Sequence, residues 1–300
     1  MTASAGTCFG FRVSSPLPFH YLRAGGGEPL HVEADGGQEA GPDDELVLEW
    51  TPSPELHFHA RLFESAGSYR LWIDGTGWFL VDLARGRITV PPSDDPLRRE
   101  ERLWSIPVLL AFTARGDLAL HAAAVEMDGG ALLLTAPRTF GKTTLAAGFW
   151  REGHRVLSED LARVRPSPEP AVVPGPAMLR LRNDVAERLD LGDTRCHAVD
   201  DERTHLALEG ARRGDCEPVP LRGIVLLRPS EEERRLEQVA AAEALRDLWA
   251  VSFRFPTEEA RARCFAQVAA LADAVPVWNL THPLNLESLS GTVQYVARHV

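Results

Sequence analysis

The chain has 300 residues, enough for two domains of ordinary size or one large α/β domain, and it is 44% hydrophobic and 25% charged. This composition is typical of a folded globular protein and excludes disordered, collagen-like and disulfide-scaffold classes. A net charge of −11 argues against a nucleic-acid-binding protein, because such proteins need a basic surface. The sequence shows neither a signal peptide nor an apolar run that could span a bilayer, so we expect a cytoplasmic protein that does not bind membranes.

Residues 1–94 form a predicted β-rich region, because short runs of β-branched and aromatic residues alternate there with turn residues. We predict strands at 9–13, 46–50, 57–63, 69–73, 78–82 and 87–90. The Gly-, Pro- and Asp-rich stretch 25–44 predicts a loop within this region. Apolar residues at three- and four-residue spacing then predict one linking helix over 95–114.

Residues 115–300 form the predicted second domain, and its fold class is α/β. We predict a strand at 118–125 that contains His121, a turn at 128–130, a strand at 131–136, a helix at 143–152 and a strand at 153–157. This order predicts a βαβ unit, which places ligands at the carboxyl ends of its strands. Beyond it we predict a proline-rich connection at 166–176, a strand at 222–227, helices at 231–250 and 257–274, and a final strand, loop and helix.

Residues 136–143 match the phosphate-loop pattern of a small residue, four others and then Gly-Lys-Thr. Lys142 is the one lysine of the sequence, against 31 arginines, which marks a place where a compact ammonium is needed instead of a guanidinium fork. The pattern predicts that Lys142 reaches the phosphates and that the Thr143 hydroxyl binds Mg²⁺. We therefore predict ATP and Mg²⁺ as cofactors. The predicted nucleotide-binding residues are Ala136, Pro137, Arg138, Thr139, Phe140, Gly141, Lys142, Thr143 and Thr144.

Two carboxylates, Glu159 and Asp160, follow the next predicted strand. Phosphoryl transfer needs one carboxylate to hold Mg²⁺ and often another to accept the proton of the attacking hydroxyl. The alternative interpretation of the pair is a solvated turn or helix cap. His121, flanked by apolar residues, is by itself more typical of a hydrogen-bonded core residue. The four cysteines lack Cys-x-x-Cys spacing, which predicts reduced thiols and no zinc site.

Three segments together resemble the catalytic domain of the HPr kinase/phosphorylase family. They are residues 120–130 with their histidine, the phosphate-loop pattern, and residues 151–160, in which a Gly-His-Arg turn leads to the acidic pair. The resemblance is dense over residues 115–185, and the flanks look like those of shorter HPr-kinase-like proteins found beside peptide-modifying gene clusters. It implies a P-loop kinase core similar to that of phosphoenolpyruvate carboxykinase, and transfer of a phosphoryl group to a serine hydroxyl.

By position, the resemblance implies a role for each candidate catalytic residue. Lys142 handles the phosphates, Glu159 accepts the proton, Asp160 lies on the metal side with Thr143, and His121 lies close to the reacting phosphate. Asp184 follows a Pro-Ala-Met-Leu segment, and it either takes the family's later metal-side position or begins the helix after it. The family's acidic pair is normally two aspartates, so Glu159 shifts the first carboxylate by about one methylene.

We therefore expect an ATP- and Mg²⁺-dependent kinase whose acceptor is a hydroxyl, favouring a serine of a peptide or small protein such as a ribosomal-peptide precursor. Two alternatives stay open. One is a small-molecule kinase acting on an amino acid, sugar or cyclitol, and the other is a non-catalytic nucleotide-binding partner in a biosynthetic complex. An enclosed pocket beside Glu159 would favour a small molecule, whereas an open groove bordered by the N-terminal region would favour a peptide. Family members often assemble into oligomers, so the resemblance also leaves a homo-oligomer open.

Overall fold

The computed structural model of the chain describes residues 4–35, 39–52, 59–65, 67–136, 140–200, 202–209, 216–255 and 257–300. Within these ranges the protein is mixed α/β, with three sheets. The strands are β1 (Ser4–Cys8), β2 (Phe11–Ser15), β3 (Glu28–Ala34), β4 (Glu45–Trp50), β5 (Ala60–Ser65), β6 (Ser68–Ile73), β7 (Gly77–Asp82), β8 (Arg87–Val90), β9 (Leu118–Leu120), β10 (Ala122–Met127), β11 (Gly130–Thr135), β12 (Arg155–Ser158), β13 (Ala162–Arg165), β14 (Ala171–Val173), β15 (Met178–Arg182), β16 (Thr194–Val199), β17 (Arg203–Leu208), β18 (Val219–Ser230), β19 (Arg235–Val239) and β20 (Val277–Pro283). The helices are α1 (Pro96–Leu103), α2 (Ile106–Thr113), α3 (Lys142–Arg151), α4 (Asn183–Ala186), α5 (Ala241–Val251), α6 (Glu258–Ala274) and α7 (Leu289–His299).

The first sheet is built from residues 4–90 and has the order β1-β2-β3-β8-β7-β6-β5-β4. The predicted strands at 46–50, 69–73, 78–82 and 87–90 are confirmed as β4, β6, β7 and β8, and β5 covers residues 60–63 of the strand predicted at 57–63. The predicted strand at 9–13 is wrong at its start, because Phe9 and Gly10 have positive φ angles of 49° and 72° and form the turn between β1 and β2.

The predicted loop at 25–44 contains an unpredicted strand, β3, which lies between β2 and β8 and pairs in parallel with both. Leu30 and Val32 of β3 are buried in the core. The sequence did not predict this strand, because its alternating pattern is short and the residues on either side are rich in Gly and Pro.

The predicted linking helix is two helices, α1 and α2, separated at Trp104 and Ser105. Pro107 lies in the first turn of α2, where its missing N–H does not disturb the helix, but it would have broken a continuous one. Buried Glu100 fixes α1 to the N-terminal segment, since its carboxylate accepts hydrogen bonds from the backbone N–H groups of His20 (2.7 Å) and Tyr21 (3.0 Å). The domain boundaries at 94 and 114 stay predictions.

The second sheet is the central one and has the order β12-β10-β11-β18-β14-β13-β9, with β20 pairing to β18 and β19. β11 and β12 are both antiparallel to β10, so they are parallel to each other. β18 is parallel to β11, and β20 is parallel to β18. The order β11-α3-β12 was predicted, and β10 lies between its two strands. The carboxyl ends of β11, β12, β18 and β20 therefore lie at one edge of the sheet.

Four further predictions about this region are corrected. The strand predicted at 118–125 breaks at His121, because β9 pairs with β13 whereas β10 pairs with β11 and β12. The proline-rich connection at 166–176 contains β14, and the strand at 222–227 is part of the longer β18. The helix predicted at 231–250 begins instead as β19 and becomes helical at Ala241. The helix at 257–274 is confirmed as α6, and a third sheet, β15-β17-β16, was not predicted.

The core on one face of the central sheet positions α3. Leu145, Ala146 and Phe149 of α3 are buried between the sheet and α7. α7 approaches α3 closely at Gly148, where an added Cβ would lie 2.9 Å from the Leu289 side chain. This packing holds the first turn of α3 at the edge where the strands end.

A buried arginine on β13, Arg163, ties the central sheet to the N-terminal sheet. Its side chain is 2% exposed, it is ion-paired with Asp117 at 2.5 Å, and its Nη1 donates to the Phe9 carbonyl oxygen. Its guanidinium also lies over the rings of Phe11 (5.1 Å) and Phe112 (5.5 Å).

We expect Arg163→Met to lower the free energy of unfolding by about 3–5 kcal/mol, because it leaves the Asp117 charge without its partner. Denaturant unfolding followed by circular dichroism measures this. The double variant Arg163→Met/Asp117→Asn is the control and should lose less, since no unpaired charge remains. A double variant as unstable as the sum of the two single variants would contradict this explanation.

Candidate functional site

Three segments that are distant in sequence meet at one edge of the central sheet. Ala122 of β10 lies opposite Thr135 of β11, and Ala124 of β10 lies opposite Ser158 of β12. His121, which directly precedes β10, is therefore beside the end of β11 and beside the acidic pair that follows β12. The Thr135 hydroxyl donates to the His121 carbonyl oxygen at 2.9 Å and fixes this junction.

The Gly-Lys-Thr segment, residues 136–144, leads from β11 into α3. Gly141 precedes α3 with φ of 81°, a left-handed conformation that glycine adopts without strain. The N-cap residue Gly141 offers no side chain to the first N–H groups of α3, and these groups lie at the positive end of the helix dipole. Ala136, Phe140, Gly141, Lys142, Thr143 and Thr144 are placed here, whereas Pro137, Arg138 and Thr139 lie outside the described residues.

Lys142 is the first residue of α3, and its side chain turns back over this segment. It is only 7% exposed, and its Nζ donates to the Ala136 carbonyl oxygen at 2.9 Å. A buried ammonium at a helix start is an arrangement that favours the binding of anions such as phosphate.

Glu159 is the buried member of the acidic pair. It is 3% exposed, its Oε1 accepts a hydrogen bond from Thr143 Oγ1 at 3.1 Å, and its Oε2 accepts one from Arg180 Nε at 2.9 Å. Burial raises the pKa of Glu159 above the ordinary glutamate value; Arg180 opposes this rise and neighbouring Asp160 adds to it.

Asp160 is the accessible member of the pair, with a side chain that is 45% exposed. Its Oδ1 lies 3.3 Å from His121 Nδ1, and its Oδ2 lies 3.6 Å from Arg180 Nη2. Removal from water raises the pKa of Asp160, but nearby His121, Arg180 and Lys142 outweigh this effect and hold the pKa below the ordinary aspartate value. Asp160 therefore stays ionised at neutral pH.

The structure brings Lys142, Thr143, Glu159, Asp160 and His121 together, and the Thr143 hydroxyl donates a hydrogen bond to Glu159. The roles that the family resemblance implies for the two acids stay predictions. Within the described part of the chain, no group of three or more His, Cys, Asp or Glu side chains could by itself hold a metal ion.

Asp184 lies at the start of a helix, which the second of its two interpretations predicted. It lies in the first turn of α4, its side chain is exposed, and its carboxylate is ion-paired with Arg182 at 2.8 Å. It lines the same large cavity as the acidic pair. The metal-side role that the resemblance implies for Asp184 stays a prediction.

Sequence reasoning missed Arg180, which binds both acids of the pair from β15. Its guanidinium lies 2.9 Å from Glu159 and 3.6 Å from Asp160. No local pattern marks this residue among 31 arginines, and the strand that carries it was not predicted. The one available signal was the acidic pair itself. Two adjacent carboxylates need a cation to balance their charge, and the sequence next to them does not supply one.

A cavity of about 1700 Å³ contains the site and extends from α3 to α1. Arg98, Glu101, Arg102 and Ser105 line it from one helical face of α1 and the turn that follows, at three- and four-residue spacing. The segment predicted as a linking helix thus forms a wall of the candidate site.

His205 of β17 links α1 to the third sheet. Its Nε2 lies 2.8 Å from Asp200 Oδ2, and its Nδ1 contacts the Glu101 carboxylate on α1. The hydrogen bond to Glu101 raises the pKa of His205 above its ordinary value of 6.5; burial opposes the rise and Asp200 adds to it.

We expect the stabilising effect of His205 to depend on pH. Because its folded-state pKa is raised, its contribution is complete below the ordinary value of 6.5 and is lost as the pH rises through the raised value. The difference in unfolding free energy between the unaltered protein and His205→Gln should therefore be largest at acidic pH and shrink toward alkaline pH. Urea unfolding over a pH series measures it, and a difference that does not change with pH would contradict this expectation.

Comparisons with known proteins give little further guidance. No family model matches the chain, and no curated protein matches it. Among solved structures, the Hpr(Ser) kinase/phosphatase from Coxiella burnetii is similar at 12% identity and a TM-score of 0.30, over 60% of this chain and 93% of that one. This likeness is distant. None of the helices in the described ranges is both long and apolar enough to cross a membrane.

Proposed function

We propose that the protein is a P-loop phosphotransferase that moves the γ-phosphoryl group of ATP to a hydroxyl, favouring a serine of a peptide or small protein. The observation that carries the proposal is the hydrogen bond of 3.1 Å between Thr143 and Glu159, which joins the Gly-Lys-Thr segment to the acidic pair. Phosphoryl transfer needs a positive phosphate-binding element next to carboxylates that serve the metal and the attacking hydroxyl.

The side chains present fit a nucleoside triphosphate with Mg²⁺. The start of α3 and Lys142 provide backbone N–H groups and a cation for phosphate oxygens. Thr143 and Glu159 offer the oxygen ligands that Mg²⁺ prefers, and in such sites the ion takes one or two carboxylates plus phosphate oxygens. When bound, the ion would neutralise charge on the transferred group.

We assign different roles to the two acids. Glu159 is buried against Thr143 and would serve the metal side, whereas Asp160 is exposed and ionised and would accept the proton of the hydroxyl. His121, 3.3 Å from Asp160, orients that carboxylate. Arg180 holds both acids in place and is a positioning residue. This assignment exchanges the roles of Glu159 and Asp160 implied by the family resemblance.

The shape of the cavity supports a peptide acceptor. At about 1700 Å³ it is larger than the ~300–1,000 Å³ of a pocket for one small ligand, so it has room for a nucleotide and an acceptor together, and α1 forms its far wall. Arg98 and Arg102 face it from α1, so acidic residues next to the acceptor serine would be favoured.

The dependence of ADP formation on an acceptor hydroxyl tests the proposal. A pool of serine-containing peptides with acidic flanks should stimulate ADP formation from ATP and Mg²⁺, and the same pool with alanine in place of serine should not. Equal ADP formation with both pools would overturn the peptide acceptor. Stimulation by a pool of amino acids, sugars and cyclitols instead would establish a small-molecule kinase.

A further inference from the structure

One histidine outside the sequence motifs joins two walls of the cavity. His205 of β17 lies between two carboxylates: its Nδ1 contacts Glu101 on α1, and its Nε2 lies 2.8 Å from Asp200 Oδ2 in the turn after β16. All three residues line the cavity that contains the acidic pair. The ring and its two carboxylates, here called the His205 bridge, therefore connect α1 to the β16–β17 turn.

The geometry of the bridge requires the charged form of the ring. An ionised carboxylate only accepts hydrogen bonds, so both ring nitrogens of His205 must donate, and only the imidazolium has two N–H groups. After loss of one proton the ring keeps one N–H and gains a lone pair. One of the two carboxylates then faces that lone pair, and its contact with the ring becomes repulsive.

The contact that is lost is the one between the two elements. Asp200 stays fixed to the turn, because its Oδ1 also accepts the backbone N–H groups of Glu202 (2.8 Å) and Arg203 (2.6 Å). Among the described residues, the Glu101 carboxylate accepts a hydrogen bond from His205 alone. α1 itself remains attached to the N-terminal segment by the hydrogen bonds described above. Loss of the proton therefore releases the β16–β17 turn from α1.

The other charged groups on the surrounding elements do not change their charge where the ring does. They are Arg180 on β15, directly opposite His205, then Arg98 and Arg102 on α1, and Glu202 and Arg203 in the turn. Arginines keep their charge throughout, and carboxylates ordinarily titrate about two pH units below a histidine. A change between mildly acidic and alkaline pH therefore reports on histidines.

A second histidine of the third sheet titrates separately. His197 of β16 packs edge-on against His20, with ring centroids 4.9 Å apart. Burial lowers the pKa of His197 below 6.5, and His20 adds to this effect. The hydrogen bond to Glu101 raises the pKa of His205 instead. As the pH rises, His197 is therefore neutral before His205 loses its proton.

We propose that the His205 bridge is a pH-sensitive contact that shapes the acceptor side of the cavity: the imidazolium holds the β16–β17 turn against α1, and loss of its proton opens this side and weakens acceptor binding. The inference rests on the acceptor site proposed above, because Arg98 and Arg102, assigned there to acidic residues of the acceptor, lie on the same face of α1 as Glu101. The nucleotide side is unaffected, since α3 packs on the central sheet and α7.

NMR titration of the ligand-free protein tests the bridge itself. The His205 ring should carry two N–H groups at mildly acidic pH and titrate with a midpoint above 6.5, and the backbone amide signals of α1 should shift with the same midpoint. In Glu101→Gln the midpoint should fall, because the contact that holds the proton is gone. A midpoint at or below 6.5 in the unaltered protein would overturn the bridge.

The pH dependence of acceptor binding tests the role of the bridge. With a serine peptide that has acidic flanks, KM should rise about 3- to 10-fold as the pH passes through the His205 midpoint, as expected for one hydrogen bond, while kcat and the affinity for ADP with Mg²⁺ change little. Glu101→Gln should keep the low KM at every pH, because its amide can donate to the neutral ring. His205→Gln should show the raised KM at every pH. His197→Gln is the matched control and should keep the pH dependence of the unaltered protein.

Two results would overturn the role of the bridge in acceptor binding. One is a KM that does not change with pH in the unaltered protein. The other is a dependence that persists in Glu101→Gln, since it would show that the charge of the ring acts directly on the peptide. If the NMR titration shows the bridge but no peptide is phosphorylated at any pH, the proposed function fails and this inference falls with it.

Discussion

Replacing Lys142 with alanine is expected to lower the rate of phosphoryl transfer by about 10²–10³-fold, the usual effect of removing one group that stabilises charge in the transition state. Among the described residues of the segment 136–144, Lys142 alone carries a charged side chain. Its ammonium lies at the first turn of α3, only 7% exposed, so no solvent cation can replace it efficiently. Initial rates of peptide phosphorylation measure the effect.

Three control variants separate charge, shape and fold. Lys142→Arg keeps the charge but not the compact ammonium, so it should also be impaired. Lys142→Met keeps the aliphatic stem and should resemble alanine in rate. Arg151→Ala, at the exposed far end of the same helix, should remain within a few-fold of the unaltered protein. A Lys142→Ala variant that transfers phosphate at the unaltered rate would contradict the assignment of the segment.

The second large effect is expected at the acidic pair. Asp160→Asn should lower kcat by about 10²–10⁴-fold, the range for a general base, with little change in the affinity for ADP and Mg²⁺. Glu159→Gln should instead weaken binding of the nucleotide with Mg²⁺, because it removes charge beside Thr143. Single-turnover rates and calorimetry on the same two variants distinguish these outcomes.

The control for this experiment is Asp184→Asn. Its carboxylate is exposed and paired with Arg182, so both kcat and affinity should stay close to those of the unaltered protein. The reverse pattern at the pair, with Asp160 needed for Mg²⁺ and Glu159 needed for kcat, would restore the order implied by the family resemblance. A strong loss of Mg²⁺ affinity in Asp184→Asn would return that residue to the metal side.

Local sequence patterns predicted the parts of the site that are continuous in the chain. The Gly-Lys-Thr segment, α3 and the acidic pair each follow from a short motif, and their order along the chain indicates one sheet edge. These local patterns did not predict which residues contact each acid of the pair. Whether Thr143 contacts Glu159 or Asp160 depends on the strand register and on Arg180, which comes from β15, far along the chain.

The errors in the fold have the same origin. Residues 231–239 are rich in Glu and Arg and favour a helix, yet β19 forms because β20 offers a strand edge to pair with. β3 is hidden among Gly and Pro residues and is fixed by parallel pairing with β2 and β8. In both places a long-range pairing overrides the local preference.

Mass spectrometry of a pool of serine-containing peptides, after incubation with ATP, Mg²⁺ and the purified protein, tests the central claim most directly. We predict that one or more peptides gain a single phosphate, about 80 Da, and that Lys142→Ala produces no such gain. Nucleotide that stays bound without ATP consumption or any gain in mass, or an equal gain with Lys142→Ala, would contradict the assignment of this site to phosphoryl transfer.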